Sequence, residues 1–256
     1  MTRNGHVIKT QALSKNFDTV QAVRDLDLEV ATGSRFGFLG PNGAGKTTTV
    51  RILSGLMKQT SGDAEVCGYN VATHRNEVKA ATGLLPESPG LFSKLSAREF
   101  LEFIGALNDE NGAGLDKRIR NLLGMLGLES REDDLLESYS SGMKQKVLIA
   151  STLLHEPKLV FLDEPTSRLD PAASALVKEL ILALAEQTDT SFFICTHMTD
   201  FAEDVCDIIG IINDGNLIVS GSPQEIIEST GAKDLEDAYL KIVGGQVDRA
   251  TLLAWR

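Results

Sequence analysis

Gly40-Pro41-Asn42-Gly43-Ala44-Gly45-Lys46-Thr47 is the stretch on which the reading of this chain turns. It matches G-x-x-x-x-G-K-[ST], and its flanks are those the pattern requires. Before it, Arg35 to Leu39 is a short apolar run that reads as a strand going straight into Gly40. After it, Val50, Leu53 and Met57 are spaced i, i+3, i+7 on one face of a helix that starts at Lys46. The glycines let backbone N–H groups converge on phosphate oxygens without side chains in the way, and the helix N-terminus adds a favourable dipole. In that setting Lys46 neutralises the β- and γ-phosphates, and the Thr47 hydroxyl ligates Mg²⁺. The stretch predicts a nucleotide site.

On the N-terminal side, Val7-Ile8-Lys9-Thr10 and the alternating Leu26-Asp27-Leu28-Glu29-Val30 read as strands. A Ser-Gly turn at Ser61-Gly62 leads into a strand-like stretch around Ala64-Glu65-Val66. The texture then changes. Ser96-Ala97-Arg98-Glu99 fits a capping box that opens a helix carrying Phe100, Phe103, Ile104 and Leu107. A loop from Asn108 to Gly114 separates it from a helix with Leu115, Ile119, Leu122 and Leu126 on one face. A third helix is predicted from Met143 to Leu154, its apolar side made by Met143, Val147, Ala150 and Leu154. Ser88 to Leu154 therefore reads as a helical insert in a core of strands and helices.

The core resumes at Leu159-Val160-Phe161-Leu162, an unbroken apolar run of the kind buried on both faces of a parallel sheet. Asp170-Pro171 looks like an N-cap followed by Pro at N1, with Leu176, Leu180 and Ala183 on the inner face of the helix it opens. Ser191 to Thr196 is another buried strand, and Asp214-Gly215 between Ile209–Ile212 and Leu217–Val219 is a hairpin signal. Leu235, Ala238, Tyr239 and Ile242 stand at helical spacing in the tail. Alternating strands and helices argue an α/β sheet with its ligand site at the C-terminal ends of the strands.

A loop of this kind does not name a reaction, because GTPases, small-molecule kinases and motor ATPases share it. The Asn-Lys-x-Asp motif that reads guanine is absent from the chain. The Leu159–Leu162 strand, however, ends in Asp163-Glu164. Adjacent carboxylates at a strand end point to different sides and can serve different roles. Asp163 would orient Mg²⁺ or its water shell, and Glu164 would polarise the water that attacks the γ-phosphate.

Size and charge narrow the classes. At 256 residues, with 42% hydrophobic and 24% charged residues, the chain has the composition of an ordered globular protein. No apolar run approaches the ~18 residues of a membrane span. Met1-Thr2-Arg3-Asn4-Gly5 lacks the apolar stretch of a secretory signal, so the expectation is a protein that reaches a membrane by holding a partner. A net charge of −11, with no stripe of Lys and Arg, speaks against nucleic acid as a partner. Cys67, Cys195 and Cys206 are far apart and read as reduced thiols in a cytosolic protein, and no His/Cys group has zinc spacing.

A family resemblance emerges from these motifs in their order. Tyr139-Ser140-Ser141-Gly142-Met143-Lys144-Gln145-Lys146 resembles the ABC signature, Leu-Ser-Gly-Gly-Gln in its commonest form. Asp163-Glu164-Pro165-Thr166-Ser167-Arg168-Leu169-Asp170-Pro171 looks like Walker B followed by the D-loop. Thr196-His197 lies where that family places its switch histidine, and Phe17 where it places an aromatic that stacks on adenine. The resemblance covers nearly the whole chain. It implies an ATPase subunit of an ABC transporter, with a P-loop NTPase (RecA-like) core, an N-terminal antiparallel β-subdomain and an inserted α-helical subdomain. Residues 1–87 and 155–222 would form the β-subdomain and core, 88–154 the insert with the signature, and 223–256 a C-terminal element of one ABC ATPase domain.

The resemblance also assigns roles. ATP would be held by Phe17, by Gly40, Pro41, Asn42, Gly43, Ala44, Gly45, Lys46, Thr47 and Thr48, and by Ser140 and Gly142 reaching across a dimer to the ATP of the other subunit. His197 would contact the γ-phosphate beside Glu164 and Lys46. Mg²⁺ would be held by Thr47, Asp163 and Glu87. The partners implied are a second copy or a homologous ATPase subunit and a transmembrane permease, at the cytoplasmic face of the cell membrane.

Three departures from the commonest pattern stand out. Tyr139, Ser141 and Met143 replace Leu, Gly and Gln in the signature, a variant familiar in exporter ATPases of the ABC-2 type, and Leu235-Glu236-Asp237-Ala238-Tyr239-Leu240 resembles that subfamily too. A Glu, Glu87, occupies the Q-loop position after Gly83-Leu84-Leu85-Pro86. Arg168 replaces a small D-loop residue, either contacting a dimer partner or facing solvent. The rival class is a non-transport ABC ATPase. DNA-maintenance members carry a long coiled coil before the signature and translation factors carry two ATPase domains, neither of which this chain has. An iron–sulfur assembly partner remains as the alternative.

Overall fold

The computed structural model of the chain describes residues 5–87, 90–167 and 169–244. The insert boundary at Ser88, the D-loop Arg168 and the first four residues lie outside them. The chain opens with β1 (His6–Phe17) and β2 (Val20–Ala31), each longer than the alternation in the sequence marks. Their pairing carries register shifts between Thr10 and Leu13 and between Leu13 and Lys15, and Ala12 and Asp25 sit at positive φ. Each bulge breaks the two-residue period, so the strand continues where its pattern fails.

β3 (Arg35–Leu39) and α1 (Lys46–Leu53) flank the glycine-rich stretch. The helix ends before Met57, which instead packs from the following loop against the core. β4 (Ser61–Val66) begins at the Ser61-Gly62 pair read as a turn, because Ser61 already pairs with Ser14. Next come β5 (Tyr69–Asn70), α2 (Arg75–Ala81) and β6 (Thr82–Leu85).

The insert is α3 (Ala97–Leu107), α4 (Gly112–Met125) and α5 (Ser141–Leu153). Ser96 and Glu99 form the expected capping box, whereas α4 begins inside the stretch read as loop. β7 (Leu159–Asp163), α6 (Pro171–Gln187), β8 (Ser191–Thr196), α7 (Thr199–Val205), β9 (Ile208–Asn213), β10 (Asn216–Gly221), α8 (Pro223–Thr230) and α9 (Leu235–Val243) complete the chain. Asp170 caps α6 through Ala173 N–H, with Pro171 at its first position. The helices α2, α7 and α8, of only seven or eight residues, were not legible as periodic segments.

Among the described residues the strands form two sheets. One has six strands in the order β10-β9-β3-β8-β7-β6, parallel except for the β9–β10 hairpin at its edge. The other is antiparallel, β2-β1-β4-β5. Alternation inside the apolar runs divides the core between the two faces of the larger sheet. Leu159, Phe161, Phe193 and Cys195 face α1 and the antiparallel sheet; Val160, Leu162, Phe192 and Ile194 face the insert, α6 and α7. The insert therefore shares its core with the helices that cover that face. Cys195 and Cys206 are buried, Cys67 is half-buried, none is in a disulfide, and burial pushes the Cys206 thiol up to about 12.

Phe193 is the centre of the first face, with ring centroids of Phe36, Phe38 and Phe161 at 5.4, 5.3 and 5.7 Å. It is fully buried, so no rearrangement of solvent-facing groups can refill its volume. Phe193→Ala is expected to cost about 3–5 kcal/mol, read as a lower urea midpoint at unchanged slope. A cost under about 1 kcal/mol would mean that this layer collapses freely around the cavity.

Candidate active site

Parallel pairing brings the predicted residues to one end of the larger sheet. Leu39 pairs with Thr196, and Asp163 with Cys195, so the glycine-rich loop, Asp163-Glu164 and Thr196-His197 leave adjacent strands side by side. A cleft of 270 Å³ there is lined by Ala22, by the loop from Pro41 to Thr48, and by Glu87, Asp163 and Glu164. Gly45 caps α1 with φ 106°, and a Cβ on it would stand 2.2 Å from the Ala22 carbonyl oxygen. No other residue fits that turn. Lys46 Nζ folds back over the loop, donating to the carbonyls of Gly40 at 2.6 Å and Pro41 at 3.1 Å.

The two carboxylates diverge. Asp163 accepts from the Thr47 hydroxyl at 2.8 Å, although the two residues are 116 apart in sequence. Its pKa is raised, chiefly because burial penalises the charged form; the Thr47 hydrogen bond opposes this, Glu87 and Glu164 add to it, and Lys46 opposes it. Glu164 turns the other way through a positive φ of 54°. Its N–H donates to Cys195 O at 2.9 Å. Its Oε1 lies 2.9 Å from His197 Nδ1, and its Oε2 accepts from Thr196 Oγ1 at 3.4 Å. Glu164 is thus a nearly buried carboxylate held by two neighbours, while the His197 side chain is half exposed.

The donor set suits Mg²⁺. Thr47 and Asp163 offer a hydroxyl and a carboxylate that already touch, and Glu87 lines the same cleft. Mg²⁺ beside phosphates takes one or two protein oxygens and fills the rest with phosphate and water. No cage of three His, Cys, Asp or Glu is found among the described residues, and such a metal does not need one.

Other predicted residues stand outside the cleft. Ser140 caps α5, its hydroxyl accepting from Met143 N–H at 3.3 Å, and it is exposed at the helix end. Gly142 lies beside it, against Leu169. Phe17 ends β1, exposed, with Lys15 Nζ 5.0 Å from its ring centroid. His197 meets the cleft only through Glu164.

Two features went unread in the sequence. Gln145, on the buried side of α5, donates to Pro165 O at 3.2 Å, tying the signature helix to the loop that follows Glu164. The hairpin turn at Gly215 donates to Ala44 O of the phosphate loop at 3.0 Å. Only the buried polarity of Gln145 could have hinted at the first; nothing local announces the second.

Comparison with known proteins agrees with this geometry. The profile of the ABC transporter family matches residues 23–167. The chain is 39% identical over 214 residues to the bacitracin transport ATP-binding protein BcrA of Bacillus licheniformis, covering 83% of this chain and 68% of that protein. It is 31% identical over 250 residues to the linearmycin resistance ATP-binding protein LnrL of Bacillus subtilis, covering 98% of this chain and 79% of the other. A solved structure of the ATP-binding subunit of an ABC transporter superposes with a TM-score of 0.84 at 28% identity, covering 92% of this chain and 99% of that one.

Proposed function

Since this chain belongs to the ABC transporter family and is one of its ATP-binding, ATP-hydrolysing subunits, we propose that it works as a dimer closing around two ATP and driving a separate exporter permease. The observation that carries the chemistry is the divergence of Asp163 toward Thr47 and of Glu164 toward His197 at the mouth of one phosphate loop. The loop N–H groups and Lys46 cradle the triphosphate of ATP. Bound Mg²⁺, held by Thr47 and Asp163 with Glu87 beside them, would neutralise charge on the phosphates. Glu164 accepts a hydrogen bond from the attacking water and draws its proton as the bond from that oxygen to the γ-phosphorus forms and the bond from the γ-phosphorus to the bridging oxygen breaks, ADP leaving with the electron pair. His197 holds that carboxylate in place, and its ring, half exposed beside the cleft, is left free to turn to the γ-phosphate.

Phe17 stacks on adenine. Exposed Ser140 and half-buried Gly142, at a positive helix end outside their own cleft, serve the ATP of the other subunit. The Tyr139–Lys146 variant favours an exporter, as do the relatives named for bacitracin transport and linearmycin resistance. No helix among the described residues is long and apolar enough to cross a membrane; in this reading the permease supplies the transport path. Docking at the cytoplasmic face would use the surface beyond Glu87, where Phe92 stands exposed with its ring edge-on to Phe103 at 5.4 Å.

The test is co-purification with the permease from detergent-solubilised membranes, and ATPase activity with and without it. Glu87→Gln keeps an oxygen ligand and removes a charge, so it is expected to stay active alone with a modest change in Mg²⁺ dependence. Glu87→Ala is expected to lose the permease-stimulated activity more than the basal one. If Glu87→Ala abolishes basal hydrolysis as completely as loss of Glu164 does, Glu87 belongs to the chemistry and not to coupling.

A further inference from the structure

The two ends of the proposed nucleotide site are built on different sheets. Phe17 ends β1 of the antiparallel sheet, whereas the phosphate loop follows β3 of the six-stranded sheet. A ligand that binds at both ends is sensitive to the span between them, because any mismatch must be made up by strain or by a lost contact. Something must hold the sheets in register at that end of the molecule.

The β9–β10 turn sits where the two meet. Gly215 N–H donates to Ala44 O, in the middle of the phosphate loop, at 3.0 Å. The Gly215 carbonyl accepts from Arg24 N–H of β2 at 2.8 Å. One residue therefore bonds through its own backbone to β2 of the antiparallel sheet and to the loop that follows β3 of the other. Asp214 at φ 46° and Gly215 at φ 81° form the tight turn that aims both groups. The β2 backbone is also wedged at this point. The Ala22 carbonyl oxygen stands 2.2 Å from the position of a Cβ on Gly45 and 3.1 Å from that of a Cβ on Gly215. Val20, two residues before Ala22, pairs with Phe17. The route from base platform to phosphate loop thus runs Phe17, Val20, Ala22, Gly215, Ala44.

We propose that Gly215 is a positioning residue that fixes the span between the adenine platform at Phe17 and the phosphate loop, so that the site measures a whole nucleoside triphosphate. The proposal rests on the reading of Phe17 as that platform. A side chain at Gly215 would press on the Ala22 carbonyl and on the Arg24 Cγ at 3.2 Å, moving β2 and its platform against the loop.

Binding of Mg-ATP and of Mg-tripolyphosphate, which has no base, separates the possibilities. Gly215→Ala is expected to weaken ATP about tenfold, equivalent to about 1.4 kcal/mol, and to change tripolyphosphate affinity less than about twofold. Gly215→Asn supplies the same Cβ on a residue that tolerates left-handed φ, and it carries the test if the alanine variant folds poorly. In a Phe17→Ala background, Gly215→Ala should add nothing to the ratio of the two affinities. Equal weakening of both ligands, or an unchanged ratio, overturns the proposal. If Phe17→Ala itself leaves the ratio unchanged, the platform reading falls and takes the proposal with it. If Phe17→Ala shifts the ratio and the Gly215 variants do not, only the positioning role is lost.

Discussion

Replacing Glu164 with Gln is expected to lower ATP turnover about a hundredfold or more while leaving ATP affinity nearly unchanged. Glu164 is 8% exposed, and its carboxylate is engaged by His197 at 2.9 Å and Thr196 at 3.4 Å. The Gln amide has the same size and still offers an oxygen to one of these partners, so the fold and the cleft persist. What disappears is the negative charge that, in the proposed mechanism, draws a proton from the attacking water. Binding still closes the dimer, but hydrolysis no longer reopens it. An ATP-dependent dimer should therefore accumulate in size-exclusion chromatography of the variant. Retention of more than about a tenth of the wild-type rate would contradict the role, since positioned acid–base groups contribute on the order of 10²-fold or more.

Lys46→Ala acts on the other half of the reaction. Lys46 is 7% exposed and donates to the Gly40 and Pro41 carbonyls, so its ammonium is held against the loop proposed to cradle phosphate. A hydrogen bond to a charged group contributes about 1.5–3 kcal/mol, which predicts an ATP affinity about ten- to a hundredfold weaker. Alanine is the best helix former, and Lys46 opens α1, so the melting temperature should change little. Titration with ATP by calorimetry reads the first effect and thermal unfolding the second. Unchanged ATP affinity would count against the assignment of the loop. Turnover separates the two variants: at ATP a few times the wild-type Kd, Glu164→Gln is bound and stalled, whereas Lys46→Ala is mostly unbound.

An amino-acid sequence is most informative where an interaction closes within one helical turn. The Ser96–Glu99 capping box and the Asp170-Pro171 cap stand where they were expected, because each is made by residues three apart. The glycine-rich loop is equally legible, since its residue pattern and the helix it opens are contiguous in sequence. Apolar runs announced the buried strands, but not which side chain faces which layer. Phe192 and Phe193 are neighbours of the same type, yet they serve opposite faces of the sheet. Where bulges interrupt β1 and β2, the periodic signal ends before the strand does.

By itself, then, the amino-acid sequence determined the local pieces: the phosphate loop, the caps, the adjacent carboxylates and the alternation of strands with helices. The tertiary structure alone decided how they meet. Thr47 reaches Asp163 and His197 reaches Glu164 because β3, β8 and β7 lie parallel and in register. Gln145 finds Pro165, and Gly215 finds Ala44, across contacts that no short window of sequence contains. The physical reason is that a cap or a turn is chosen by the residues that form it. A contact between distant segments is chosen by how all the layers of the core fit together, and its free energy appears only when they do.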